Sequence, residues 1–263
     1  MYIMDYHVHS TNSFDGKSKI NDICRRAVQK GIKEICFTEH FSVDPVIPTY
    51  GYINLDSYSK EIEENKNLFK DKLVIKKGLE ICEPHLNYEK LQEELNNQEL
   101  DFIIGSVHNI NKTKLRKYIQ GKNNKDAYRG FFKEVYLLAC SSNIDIIGHL
   151  DLLKRYAYND LGNYKFLESA DIIEAILKKV IERNIGIEIN TSGFRSDVKE
   201  MFPSVDVLKM YKSLGGEIIT IGSDSHSAEL VGEDLNNALD LLKYCGFRYI
   251  FKYNRRKPEA IKI

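Results

Sequence analysis

The sequence predicts an α/β barrel, and three features of its 263 residues carry that prediction. Short runs rich in β-branched and aromatic residues recur along the whole chain. Segments with helical spacing of apolar residues separate most of these runs. Six of the seven histidines fall at or just past the C-terminal end of such a run. Strands alternating with helices form parallel β-α units, because a parallel pair needs a crossover connection. Seven or eight units in a chain of this length suit a closed barrel, with an open doubly wound sheet as the alternative. The glycine-rich dinucleotide fingerprint that often follows the first strand of such a sheet is absent; His7, Val8, His9 and Ser10 stand in its place.

The elements follow in order. Tyr2–Val8 is the first β-rich run. Ile20–Lys30 is helical, with apolar residues at 20, 23, 24, 27 and 28 and Gly31 as the stop. The second run, Glu34–Thr38, leads into a long connection over 41–54 that holds Phe41, Tyr50, Tyr52, Pro45, Pro48 and Gly51. Such a connection either covers a pocket or packs over the barrel rim. Helix Asp56–Phe69 precedes the run Leu73–Leu79, and Tyr88–Leu95 precedes Phe102–Val107. Lys125–Cys140 then leads to Ile144–Gly148, Ala170–Arg183 to Gly186–Asn190, and Val205–Leu214 to Ile218–Gly222. Asp234–Tyr244 leads to an eighth run, Tyr249–Lys252. With no low-complexity linker or charge block, residues 1–263 read as a single domain.

Composition narrows the function. Lys plus Arg and Asp plus Glu both number 38, so the net charge is zero and no electrostatic argument favours a nucleic-acid or membrane partner. The five cysteines are odd in number, none is spaced as C-x-x-C, and Cys36 and Cys82 lie within or beside apolar segments. They read as buried free thiols of a reducing compartment, with no cysteine placed for a thiolate site. The opening MYIMDYHVHS has no basic stretch followed by an apolar run and does not read as a signal peptide, and no apolar run is long enough to span a bilayer. A cytoplasmic protein is expected.

The polar residues at the strand ends suggest chemistry. The first run ends in His7-Val8-His9 and the second in Thr38-Glu39-His40. The third ends in Glu80, the fourth in His108, the fifth in His149, and the seventh in Asp224-Ser225-His226. Side chains alternate along a strand, so His7 and His9 share a face, as do Asp224 and His226 if the extended conformation continues. In a parallel barrel these ends open on one face, where barrel enzymes carry their sites. With Asp15 in the loop after the first run there are nine candidate donors. A single zinc takes about four ligands, so nine suit two or three ions of zinc, manganese or iron, with a carboxylate as bridge. Glu80, between the other groups, is the best bridge. His85 lies outside the pattern and reads as structural.

The motifs D-Y-H-V-H-S, T-E-H, the lone Glu80, S-V-H, G-H-L-D and G-S-D-S-H, running from Asp5 to His226 in that order, resemble the polymerase and histidinol phosphatase (PHP) superfamily. Spacing and the segment from Glu188 to Arg195 look most like its stand-alone histidinol-phosphate phosphatase branch. The resemblance implies a distorted (β/α)7 TIM-like barrel with a trinuclear centre at the C-terminal ends of the strands. It implies His7, His9, Glu80 and Asp224 on a first metal; Asp15, His40 and His226 on a second; and Glu80, His108 and His149 on a third. Asp15 stands where other branches often carry histidine.

The expected reaction is hydrolysis of a small phosphate monoester, with L-histidinol phosphate, an intermediate of histidine biosynthesis, favoured by resemblance. The expected nucleophile is metal-bound hydroxide, formed because bridging cations lower the pKa of water. Arg155 and Arg195 follow strand ends, and a guanidinium fork matches two phosphate oxygens; of the two, Arg195 is preferred. Asn190 and Ser192 are candidates to orient the substrate. No residue stands out as general acid, with Asp224, His226 or metal-bound water the nearest choices. Rival readings keep the metals and change the substrate to another monoester, a phosphotyrosyl protein or a phosphodiester. A mononuclear deacylase and a metal-stabilised scaffold without activity are the readings from other classes.

Overall fold

The computed structural model describes residues 2–263. β1 (Met4–Val8), β2 (Glu34–Phe41), β3 (Val74–Cys82) and β4 (Phe102–Ser106) are followed by a short ribbon, β5 (Asn109–Ile110) and β6 (Thr113–Lys114). Then come β7 (Ile146–Ile147), β8 (Gly186–Asn190) and β9 (Ile219–Gly222). β1, β2, β3, β4, β7, β8 and β9 are neighbours in that order, and every pair is parallel. The ring nearly closes: β1 meets the end of β9 through one bridge, Val8 to Ser225, where His9 N donates to Ser225 O at 2.8 Å. Gly222 is needed at this seam, since a Cβ there would lie 2.4 Å from that of His7. The predicted barrel is therefore the fold, and the open sheet is not.

Helices α1 (Ile20–Gln29), α2 (Leu55–Phe69), α3 (Tyr88–Leu95), α4 (Leu115–Tyr118), α5 (Asn124–Ser141), α6 (Leu153–Leu161), α7 (Phe166–Glu182), α8 (Val205–Ser213) and α9 (Leu235–Tyr244) connect the strands. Local chemistry sets their ends. α1 buries Ile20, Ile23, Cys24 and Ala27 on one stripe and stops at Gly31, whose φ is +75°. Asn54 caps α2 and Asn123 caps α5, each side chain accepting a backbone N–H of the first turn. Arg183, after α7, donates to the carbonyls of Ala139 and Ser142 at 2.6 and 2.7 Å, meeting acceptors that the end of α5 leaves free. No helix among the described residues is long and apolar enough to cross a membrane.

The open count of seven or eight units closes at seven, and two expectations need correction. The eighth run is not a barrel strand. β10 (Tyr249–Asn254) pairs antiparallel with β11 (Lys257–Lys262) as a hairpin across the N-terminal end of the barrel. There Tyr6 Oη accepts Tyr253 N at 2.9 Å and Arg256 Nε meets Asp145 Oδ2 at 2.6 Å. Strand periodicity alone does not distinguish a hairpin arm from a barrel stave. β2 and β3 also run further than expected, to Phe41 and Cys82, so His40 and Glu80 are ladder partners within the sheet. Lastly, extended backbone does not continue past β9: Asp224 has φ +52°, and His149 φ +38°, in the left-handed region non-glycine residues rarely occupy.

Candidate metal centre

The C-terminal ends of the strands gather the nine donors around Glu80. Glu80 Oε2 lies 3.3 Å from His7 Nε2, 3.4 Å from His9 Nε2 and 2.9 Å from His40 Nδ1. Its Oε1 lies 2.8 Å from His149 Nε2 and 3.4 Å from His108 Nε2. Asp224 Oδ1 closes one side, 3.8 Å from His7 Nε2 and 3.7 Å from His9 Nε2. Asp15 Oδ2 closes another, 3.6 Å from His40 Nε2 and 3.3 Å from His226 Nε2. One carboxylate thus faces five imidazoles, which the parallel register makes unavoidable: β3 stands between the strand bearing His40 and the strand leading to His108. His85 lies apart, its Nε2 2.7 Å from Glu134 Oε1.

The donors fit cations. His7 Nε2, His9 Nε2, His40 Nδ1, Glu80 Oε2 and Asp15 Oδ1 are buried without a hydrogen-bond partner among the described residues. Leaving so many buried polar atoms unpaired is costly unless an ion completes them. Burial works against charge here, and neighbours reverse it. Burial raises the Glu80 carboxyl, but His7, His40 and His108 outweigh it and hold the group well below the usual range. Asp224 is held low in the same way by His7, Arg155 and His226. Burial and repulsion from His40 and His226 push His9 well below the usual imidazole value. Burial likewise disfavours charge on His7, yet Glu188, Glu80 and Asp224 hold it high, so a cation entering the cluster displaces protons.

A second ring of residues aims these ligands. Glu188 Oε1 lies 2.7 Å from His7 Nδ1, and its Oε2 accepts His149 N at 3.1 Å and Asn190 Nδ2 at 3.0 Å. Ser13 Oγ lies 3.2 Å from His9 Nδ1 and donates to Glu39 Oε2 at 2.5 Å. Carboxylates behind ligating histidines set the tautomer and raise basicity. Sequence reasoning gave no role to Glu188 or Glu39, although Glu188 is the lone acid of its β-rich run and Glu39 sits beside His40. It also placed no cysteine near the metals, whereas Cys82 Sγ lies 3.3 Å from His108 Nδ1.

Above the cluster lies a cavity of about 400 Å³, with Asp15, His40, Glu80, His108, Asp224 and His226 among its walls. Arg155 lines it, donating to Asp224 Oδ2 at 3.2 Å and to Ser192 Oγ, with its guanidinium 5.4 Å over the Phe202 ring. Arg195 stands behind instead, donating to the carbonyl of Ser223 and, at 3.5 Å, to that of Asp224. Asn190 and Ser192 are buried too: Asn190 Oδ1 accepts Ser192 N at 3.0 Å, and Ser192 Oγ donates to Asp224 Oδ2 at 3.0 Å. From the long connection, Ile47, Pro48 and Thr49 wall the cavity, while Tyr50 and Tyr52 face solvent and Phe41 ends β2. Lys114 and Arg116, near the β5–β6 ribbon, complete the wall.

Fold and site together define a metal-binding (β/α)7 barrel whose His and carboxylate donors surround one buried glutamate, Glu80. The PHP domain model matches residues 5–192, and the chain belongs to that family. The match stops short of Asp224 and His226, which the barrel returns to the site. A histidinol-phosphatase of Lactococcus lactis subsp. lactis is 34% identical, covering 98% of this chain and 97% of its own. A probable histidinol-phosphatase of Clostridium acetobutylicum is 29% identical, covering 95% and 96%. The crystal structure of the Lactococcus lactis histidinol phosphate phosphatase complexed with zinc, L-histidinol and phosphate has a TM-score of 0.90 at 30% identity, covering 98% of each chain.

Proposed function

We propose that this chain is a metal-dependent phosphoric monoester hydrolase that converts L-histidinol phosphate to L-histidinol and phosphate. The observation that carries the reading is Glu80, with five imidazoles within 3.4 Å of its carboxylate at the floor of a cavity that Arg155 lines. Support for the substrate comes from the Lactococcus lactis enzyme, similar over 98% of the chain and crystallised with L-histidinol and phosphate. The setting is histidine biosynthesis in the cytoplasm, with residues 1–263 acting as one catalytic domain on a small ester.

Two or three zinc, manganese or iron ions are the proposed cofactors. His7, His9, Glu80 and Asp224 would hold the first. Asp15, His40 and His226 would hold the second, and Glu80, His108 and His149 the third. Such ions, when bound, supply Lewis acidity and lower the pKa of water towards neutrality. The chain supplies the rest. Arg155 offers its fork to the phosphoryl oxygens, where developing negative charge strengthens the contact. Stacking on Phe202 and the Ser192 hydroxyl hold that fork in one orientation. Arg195, Asn190 and Ser192 act one step back, fixing the turn that carries Asp224. Phe14, Ile47, Pro48, Leu115 and Tyr156 enclose the alcohol half and restrict water. Asp224 is held ionised by its neighbours, so His226, also on the cavity wall, is the nearer choice to protonate the leaving oxygen.

Phosphate release from a panel of monoesters tests this. Metal-reconstituted protein should favour L-histidinol phosphate over nucleotides, sugar phosphates and phosphotyrosine by at least roughly a hundredfold in kcat/KM. Even, weak activity across the panel would reject the substrate and keep the metal chemistry.

A further inference from the structure

A histidine that turns one ring nitrogen towards an ion needs a partner on the other to set its tautomer. His7 has the Glu188 carboxylate and His9 the Ser13 hydroxyl. His108 has a sulfur. Its Nδ1 lies 3.3 Å from Cys82 Sγ, while its Nε2 lies 3.4 Å from both Glu80 Oε1 and His149 Nε2. The same sulfur lies 3.9 Å from Thr49 Oγ1, whose hydroxyl donates to it. Thr49 belongs to the connection that walls the cavity, and Cys82 is itself a wall residue although only 5% exposed. Cys36, by contrast, directs its thiol at a backbone carbonyl one residue away, Phe37 O, at 3.7 Å.

We propose that Cys82 is a positioning residue for His108. Its sulfur accepts the His108 Nδ1–H, which leaves the Nε2 lone pair facing Glu80 and His149. The same atom accepts from Thr49, so one sulfur ties the cavity-covering connection to the third ion position. Cys82 thus does for His108 what Glu188 does for His7, with a softer and weaker acceptor. The inference rests on His108 holding an ion, as in the reading above, but not on the identity of the substrate.

Wild type, Cys82→Ala and Cys82→Ser are reconstituted with metal and titrated with a chelator, and bound metal per chain is measured with thermal unfolding as the check on folding. Cys82→Ala should lose the weakest-held ion at roughly 10- to 100-fold lower chelator concentration. Its kcat should fall more than its KM rises. Cys82→Ser, whose hydroxyl accepts the same hydrogen bond, should return both to within a few-fold of wild type. An Ala variant with the wild-type chelator midpoint, or a Ser variant as poor as Ala, overturns the proposal. Cys82→Val, which fills the space without an acceptor, replaces Ala if that variant does not fold. In cobalt-substituted wild type, a sulfur-to-cobalt charge-transfer band that vanishes in Cys82→Ser would show direct ligation, in a set such as His40, Cys82 and His108, and also overturn it. No such band is the expected result. The chelator midpoint is read without substrate, so a wrong substrate assignment leaves this test intact.

Discussion

The two ends of the barrel both bury carboxylates, and they treat them differently. At the floor, Glu34 accepts from the Tyr6 and Tyr2 hydroxyls, both at 2.5 Å. There Asp145 Oδ2 accepts Ile103 N at 2.7 Å and Arg256 Nε at 2.6 Å, and Asp101 accepts the N–H groups of Lys77 and Arg255 at 3.1 and 3.2 Å. At the mouth, Glu80 Oε2 and Asp15 Oδ1 have no hydrogen-bond partner among the described residues, and the imidazoles around them leave three buried nitrogens equally unmet. Floor acids are matched by protein donors and serve stability. Glu80 and Asp15 at the mouth each leave an oxygen for something the chain does not itself supply. The difference marks the functional end more sharply than burial or charge does, since both ends are buried and charged.

The strongest way to break this contrast is at its centre. Glu80→Ala should lower kcat by roughly a thousandfold or more and bound metal by more than one ion per chain, read by elemental analysis beside the assay. Unchanged metal content would show that Glu80 is not the bridge. Arg155→Ala should reduce kcat/KM by roughly a hundredfold with metal content intact. Arg195→Ala, acting through the Ser223 and Asp224 carbonyls, should cost roughly tenfold by the same rule of transition-state contacts. An inverted order would return the phosphate to Arg195. Glu188→Gln should weaken metal binding by roughly 10- to 100-fold, seen as a shifted chelator midpoint. At the floor, Arg256→Ala should lower unfolding stability by about 2 kcal/mol in urea and leave kcat alone, since it removes hydrogen bonds to a buried charge far from the donors.

The last effect is a dependence on pH. Burial, opposed by Arg256, raises the Asp145 carboxyl to about 6. The folded chain therefore holds this proton more tightly than the unfolded chain, whose carboxyl titrates near about 4. Asp145's contribution is complete below about pH 4 and declines as pH rises through about 6. The difference in urea stability between wild type and Asp145→Asn should follow that slope and flatten above it. A difference that grows in wild type's favour from about pH 4 to about 6 would mean that the ion pair with Arg256 outweighs burial.

Much of the mouth was legible because its chemistry needs rare residues. The H-x-H of residues 7–9, the isolated Glu80 and the closing Asp224 and His226 are hard to explain as core, and the barrel brings all of them into one cluster. Their supports were not legible. Glu188, Glu39, Ser13 and Cys82 matter through what they touch: the His9–Ser13 contact is local, but Glu188 to His7, Ser13 to Glu39 and Cys82 to His108 cross from one strand or loop to another. The count of seven or eight units stayed open for the same reason, since the residues of the floor hairpin fit either role locally. Arg155 and Arg195 both follow strand ends, and the sequence preferred Arg195 for phosphate; the packing of Phe202, Ser192 and the 223–224 turn instead makes Arg155 the cavity wall and Arg195 a backbone clamp.

By itself the sequence determined the alternation of strands and helices, the kind of donor at each strand end and hence the class of chemistry, because periodicity and residue type are local properties. The tertiary structure alone decided that β9 meets β1 at Gly222, that Glu80 faces five imidazoles, and that Asp224 turns into the cluster through a left-handed backbone. Those depend on register and closure, which no stretch of chain specifies until all seven strands have found their neighbours.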